Sequence, residues 1–158
     1  GKAVPVVRSM PQITARFGVA ATAVCLGRYA RPYAELAVEL FDEVGMAVLV
    51  EEHLMDAATG LSGSGPAYVY SIMEALAEGG VRVGLAKEVA LKLAIQTMLG
   101  AATMAIESGQ APAALRDQVT SPGGTTLAGL DALAKAGLNE ALISAVRAAT
   151  DRSIELGS

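Results

Sequence analysis

Two long stretches, residues 66–82 and 86–107, most constrain what this chain can become. Each reads as a helix. The polar side chains of the first, Ser71, Glu74, Glu78 and Arg82, fall on one narrow stripe, and most of those of the second do too: Glu88, Lys92, Gln96, Thr103 and Glu107. The rest of both circumferences is apolar, and a helix apolar nearly all round must be buried nearly all round. A helical region of about 106 residues (53–158) has too little interior to enclose two such helices. The pattern therefore predicts an obligate homodimer with a helical interface. Glu88 and Lys92 are also spaced for an i,i+4 ion pair.

The chain ahead of these helices reads differently. Residues 1–27 look extended, with strand-like runs at Ala3–Val7 and Val19–Leu26 separated by a segment containing Pro and Gly. Arg31–Val44 has the spacing of a surface helix, with Tyr33, Leu36, Ala37, Leu40, Phe41 and Val44 on one face and Gly45 expected as its C-cap. Met46–Val50 is a third strand. Strand, helix and strand in succession are a piece of an α/β sheet, too small to cover its own edges and second face. The expectation is a chain that starts inside a domain whose front part lies elsewhere. No Gly-x-Gly-x-x-Gly follows a strand, and Gly60, Gly63 and Gly65 give only a partial likeness.

From Glu52 onward the pattern is helical. A short segment at 53–59 leads to a turn, Leu61–Pro66, with a Ser cap and a Pro near the first helical position. Further helices are predicted at 112–119, 125–136 and 138–156. In the last, Leu138, Leu142, Ala145, Val146 and Ala149 form the apolar stripe. The fold class is thus mainly α: a partial α/β stretch followed by an all-helical domain, divided as 1–52 and 53–158.

Several chemistries are excluded by residue types alone. His53 is the only histidine and Cys25 the only cysteine, so neither a Ser/His/acid triad nor a thiolate or His-rich metal cluster can be assembled. His53, between Glu51-Glu52 and Leu54-Met55, reads as a surface histidine, and Cys25 as a small buried hydrophobe. A net charge of −4 gives no footprint for nucleic acid. Mean hydropathy is positive, yet Lys92, Gln96, Thr97 and Thr103 interrupt the run 89–106, so no membrane span is expected, and Pro5 and Pro11 punctuate the start, so no signal peptide is expected either. The setting expected is the cytoplasm.

What remains are two Ser/Gly/Pro turns that each open a helix, Ser62–Ala67 and Thr120–Thr126. Free amides and the positive end of the macrodipole at a helix start favour anions, and glycines let a ligand approach the backbone. On the local pattern alone Thr120–Thr126 reads first as an ordinary capped loop, with Ser121 or Thr125 as N-cap, the commoner use of such a turn. Neither turn can do redox or hydrolytic chemistry alone, so an enzyme built on them needs a cofactor.

These turns carry a family resemblance. Leu61-Ser-Gly-Ser-Gly-Pro-Ala-Tyr68, then Glu74-Ala-Leu-Ala-Glu-Gly-Gly-Val81 and Ala113-Ala-Leu-Arg-Asp-Gln-Val-Thr-Ser-Pro-Gly-Gly-Thr-Thr126, resemble pyrroline-5-carboxylate reductases, and the likeness runs over about 2–156. It implies an NAD(P)-binding Rossmann domain, of which residues 1–52 are a partial, Rossmann-like closing part, followed by a helical dimerisation domain over 53–158. It also implies hydride transfer from NADPH or NADH to the C=N bond of 1-pyrroline-5-carboxylate to give L-proline. By resemblance, amides around Ser121, Gly123, Gly124 and Thr125 hold the substrate carboxylate, and Thr126 bonds the ring nitrogen. Ser64, Gly65, Pro66 and Ala67 line the substrate–nicotinamide pocket, with Met10, Pro11, Gln12 and Ala67 on the cofactor side and no metal. The family's Met-Pro-Asn-Thr-Pro stands here as Met10-Pro11-Gln12-Ile13-Thr14. The implied assembly is a homodimer, with larger rings of dimers left open. Without a dinucleotide fingerprint the 158 residues alone are expected to be inactive. The alternatives are a non-catalytic helical dimerisation module and a related imine reductase with altered substrate.

Overall fold

Strand β2, Ala20–Leu26, is the most deeply buried element of a three-stranded sheet and lies at its centre. The computed structural model describes residues 4–157. Strand β1, Val7–Met10, pairs antiparallel to β2, with Val7 opposite Leu26 and Met10 opposite Ala23; β3, Gly45–Leu49, pairs parallel to it, with Ala20 opposite Gly45. Small side chains alternate along β2. Ala23 and Cys25 pack with Met55 on one face, where Met10, Val50 and Ala58 close around them. Ala20, Thr22 and Val24 point the other way, the side covered by helix α1, Ala34–Asp42. The Thr22 hydroxyl is buried there without a hydrogen-bond partner.

Three local expectations change. The first strand is not Ala3–Val7: Ala3 lies outside the described residues, Val4–Val6 form no strand, and pairing begins at Val7. Pro5 explains the shift, since it has no N–H to donate to a ladder. Residues 1–27 are not extended throughout either, because Ile13–Phe17 forms a 3-10 helix that Gly18 ends in the left-handed region. Gly45, expected to cap the preceding helix, instead starts β3; α1 ends at Asp42 with Glu43 as C-cap, and Asp42 Oδ1 accepts the Ala47 N–H at 2.7 Å. At φ +150°, Gly45 lets the chain press against Ala20, where an added Cβ would lie 2.2 Å from the Ala20 carbonyl oxygen.

Helices α2 (Met55–Ala58), α3 (Gly65–Arg82), α4 (Lys87–Ser108), α5 (Pro112–Gln118), α6 (Thr125–Lys135) and α7 (Leu138–Gly157) follow. From α3 onward the limits fall within a residue of those expected, because the punctuation is local: Pro112 opens α5, and Gly109 and Gly137 take positive φ after α4 and before α7. The chain divides into two compact units, residues 1–67 with 142–158, and residues 68–141. The predicted stripe of α7 is half-buried, while Glu140, Ser144, Arg147 and Asp151 are exposed.

Within the second unit, α3 and α4 meet through small residues, Ala77, Ala90 and Ala94, with Val81 beside them. Nearly everything larger on α4 is left in solvent: Leu91, Leu93, Ile95, Leu99, Met104 and Ile106 are all exposed. Glu88 and Lys92 form no ion pair among the described residues, whereas Arg82 and Glu78 pair at 2.8 Å. By length and composition alone α4 is long enough to cross a membrane, despite Lys92, Gln96, Thr97 and Thr103 along it. Its charged residues, Lys87, Glu88, Lys92 and Glu107, all lie towards its ends.

Candidate functional site

The first turn is built differently from the loop the sequence suggests. Thr59–Gly63 is a π-helical turn, with the Ser64 N–H reaching back to the Thr59 carbonyl at 2.9 Å, and α3 starts at Gly65. The chain is therefore helical almost without a break from Met55 onward, and single π turns of this kind recur at functional sites. The Thr59 and Ser62 hydroxyls donate back to the Met55 and Ala58 carbonyls at 2.9 and 3.0 Å, so Ser62 does not serve as a forward cap. Ser64, Gly65 and Pro66 are half-buried, and Ala67 is exposed.

The loop after β1 meets this turn. Met10 Cε lies so close to Gly63 that an added Cβ there would be 2.7 Å away. Gln12 donates from Nε2 to the Ser62 carbonyl at 2.5 Å, and its Oε1 accepts from the Thr14 hydroxyl at 3.0 Å and the Ala21 N–H at 3.1 Å. Met10 and Gln12, expected near a cofactor, are thus brought against the turn that carries Ser64–Pro66. Pro11 projects into solvent. The Ser62 carbonyl was not among the expected site atoms. Its sequence signal is Pro66 four residues on, which has no N–H to give it.

The second turn lies in the other unit. Thr120 Oγ1 donates to the Arg116 carbonyl at 2.7 Å, the Gly124 N–H donates to the Ser121 carbonyl at 3.0 Å, and Gly123 holds φ +70°. The N-cap of α6 is Gly124, with no side-chain cap bond, so neither Ser121 nor Thr125 caps it. The physical reason is the turn itself: Gly124 already stands in the extended conformation of a cap residue, one position before Thr125. The first amides of α6 therefore have no capping side chain, the condition under which a helix start attracts an anion. Ser121, Gly123 and Thr125 are exposed; Gly124 and Thr126 are half-buried.

Arg8, Cys25 and Glu52 form a charged corner of the first unit. Arg8 donates to the Glu52 carboxylate. Burial pushes the Cys25 thiol up from its ordinary value, and the neighbouring Glu52 adds to the shift. Glu52 is held below the usual carboxylate range by its hydrogen bonds from Cys25 and Arg8. A neutral, buried thiol is a poor nucleophile. His53 is exposed beside this corner.

Comparison with known proteins gives a consistent answer. A family model described as pyrroline-5-carboxylate reductase dimerisation matches residues 52–156. The chain is 50% identical over 153 residues to a pyrroline-5-carboxylate reductase of Methanosarcina acetivorans, covering 96% of this chain and 57% of the relative. It is likewise 50% identical over 151 residues to one from Pisum sativum, covering 95% and 55%. It therefore spans little more than half the length of these curated relatives. Among solved structures it resembles a pyrroline-5-carboxylate reductase from Coxiella burnetii, with TM-score 0.95 and 41% identity over 99% of this chain and 58% of that one. A second, the Plasmodium falciparum pyrroline carboxylate reductase with NADP bound, has TM-score 0.87 and 33% identity over 100% of this chain and 64% of that one.

Proposed function

The chain belongs to the pyrroline-5-carboxylate reductase family, and on that premise we propose that it serves the reduction of 1-pyrroline-5-carboxylate to L-proline, the last step of proline biosynthesis. In this reading residues 53–158 supply dimerisation and substrate binding, and residues 1–52 are the closing part of a Rossmann domain. The match beginning at residue 52 supports that boundary.

NADPH or NADH, when bound, supplies the hydride to the imine carbon. Of the residues expected at the nicotinamide end, Met10, Pro11, Gln12 and Ala67, the exposed Pro11 and Ala67 are the ones that would meet it. No glycine-rich phosphate loop follows a strand here, so residues 1–158 by themselves would not hold a dinucleotide. Ser64, Gly65 and Pro66 contact the substrate ring. The amides of Ser121, Gly123, Gly124 and Thr125 take its carboxylate, as an uncapped helix start favours. Thr126, at the second position of α6, hydrogen-bonds the ring nitrogen as it becomes the amine of proline. The protein's part is positioning and charge stabilisation.

The partner is a second copy of the chain. The row of large apolar side chains left exposed on α4 supports this, since a membrane-length helix in this family is most simply covered by another subunit. A cytoplasmic setting completes the proposal, in keeping with a single cysteine held as a buried free thiol.

The observation that carries the reading is the family match over 52–156 together with the uncapped start of α6 inside it. The test is NAD(P)H oxidation by the full-length gene product with 1-pyrroline-5-carboxylate. Turnover yielding proline is expected, and its absence would remove the assignment.

A further inference from the structure

The π turn carries a backbone problem of its own making. In a continuing α-helix the Ser62 carbonyl would accept from the residue four positions on, which is Pro66, and proline has no N–H. A half-buried carbonyl left unpaired is costly. Gln12 meets the need from a distant part of the chain, donating from Nε2 at 2.5 Å. The same amide is anchored at its other end by two donors, the Ala21 N–H at 3.1 Å and the Thr14 hydroxyl at 3.0 Å. That pattern also fixes which way the amide faces, because its oxygen must meet the donors and its nitrogen the carbonyl. Met10 against Gly63 adds a second close contact between the same two segments.

We propose that Gln12 is a positioning residue: its side-chain amide ties the substrate-facing turn Ser62–Pro66 to the loop after β1 and to the start of β2, so that these segments hold one geometry. This rests on the reductase reading above. Gln12 then acts through the turn. Both of its acceptor sites and one of its donor sites are already committed to protein partners, rather than to the nicotinamide.

Gln12→Glu in the full-length enzyme separates the possibilities, because it keeps the oxygens for Ala21 and Thr14 and loses only the donor facing Ser62. The Ser64 amide, bonded across the π turn to Thr59, is the reporter. We expect its hydrogen exchange to quicken roughly tenfold, the worth of one hydrogen bond. With it, kcat should fall about ten- to a hundredfold while KM for the nicotinamide cofactor stays within about twofold. Gln12→Met, of similar length and without hydrogen bonds, should reproduce both effects if Gln12→Glu fails to fold. Unchanged Ser64 exchange, or a raised cofactor KM with exchange unchanged, would overturn the tether. A wild-type enzyme that turns over no pyrroline-5-carboxylate would instead defeat the reductase reading, while Ser64 exchange would still decide the tether.

Discussion

Ser153 Oγ donates a 2.6 Å hydrogen bond to Asp56 Oδ1, joining two residues 97 positions apart. The bond pins the end of α7 beside α2, and a turn earlier on α7 there is a second approach to the same region. Gly60 in the π turn faces Thr150, whose own hydroxyl donates to the Val146 carbonyl at 2.9 Å. The last helix of the chain therefore braces the turn that carries Ser64–Pro66 from behind.

Gly60→Ala should be strongly felt. Its Cβ would lie 2.2 Å from Thr150 Oγ1 and 2.8 Å from both the Thr150 nitrogen and the Val146 carbonyl oxygen. The hydroxyl could swing away, but the backbone atoms cannot, so α7 must move. Urea denaturation should show a loss of about 1–3 kcal/mol. Thr150→Ala in the same background should recover little of it.

The Arg8–Cys25–Glu52 corner predicts two limbs in the pH profile of stability. The Cys25 pKa is raised in the folded protein, so its contribution is complete below the ordinary thiol value of 9.0 and is lost as pH rises through the folded value. Glu52 is shifted the opposite way: its contribution is present above 4.5 and is lost as pH falls through a lower folded value. Melting temperature measured across the alkaline range should decline less steeply in Cys25→Ala than in the wild type. Identical slopes would show that the thiol does not contribute.

Association should depend on α4. Leu99, 57% exposed in the single chain, sits near the middle of that helix. Leu99→Glu places a charge where the proposed interface would be dry and should convert dimer to monomer in sedimentation velocity. A wild-type chain that sediments as a stable folded monomer would count against the shared helical core.

Thr126 provides the local test of the substrate turn. Thr126→Ala in the full-length enzyme removes one hydroxyl at the second residue of α6 and leaves the backbone amides in place. We expect kcat/KM for pyrroline-5-carboxylate to fall about ten- to a hundredfold, with the oligomer unchanged. Thr126→Ser should restore much of the loss, and kinetics unaltered in Thr126→Ala would refute the role.

The helical part was legible because its signals are local. Expected helices at 86–107 and 112–119 stand at Lys87–Ser108 and Pro112–Gln118, each delimited by residues beside its own ends. The turn at 120–126 was also found, but not its cap: Gly124, lacking a side chain, occupies the position expected for Ser121 or Thr125. Less could be read at the start. Ala3–Val7 has the composition of a strand, but register is set by the partner, and β2 pairs with Val7–Met10 instead.

By itself the sequence determined where the helices from α3 onward begin and end, that α3 and α4 are too apolar to stand in water uncovered, and the order of the two Ser/Gly/Pro turns. Those properties follow from spacing, from residues that cannot adopt other conformations, and from which side chains water rejects. Only the tertiary structure decided that Gly45 starts a strand pressed on Ala20, that Leu61–Ser64 continues a helix through a π turn, and that Gln12 answers a carbonyl Pro66 leaves open. The first and last are contacts between segments distant in the chain, and the π turn is packed against two such segments, at Met10 and Thr150. Their free energy depends on approach distances that no local pattern encodes.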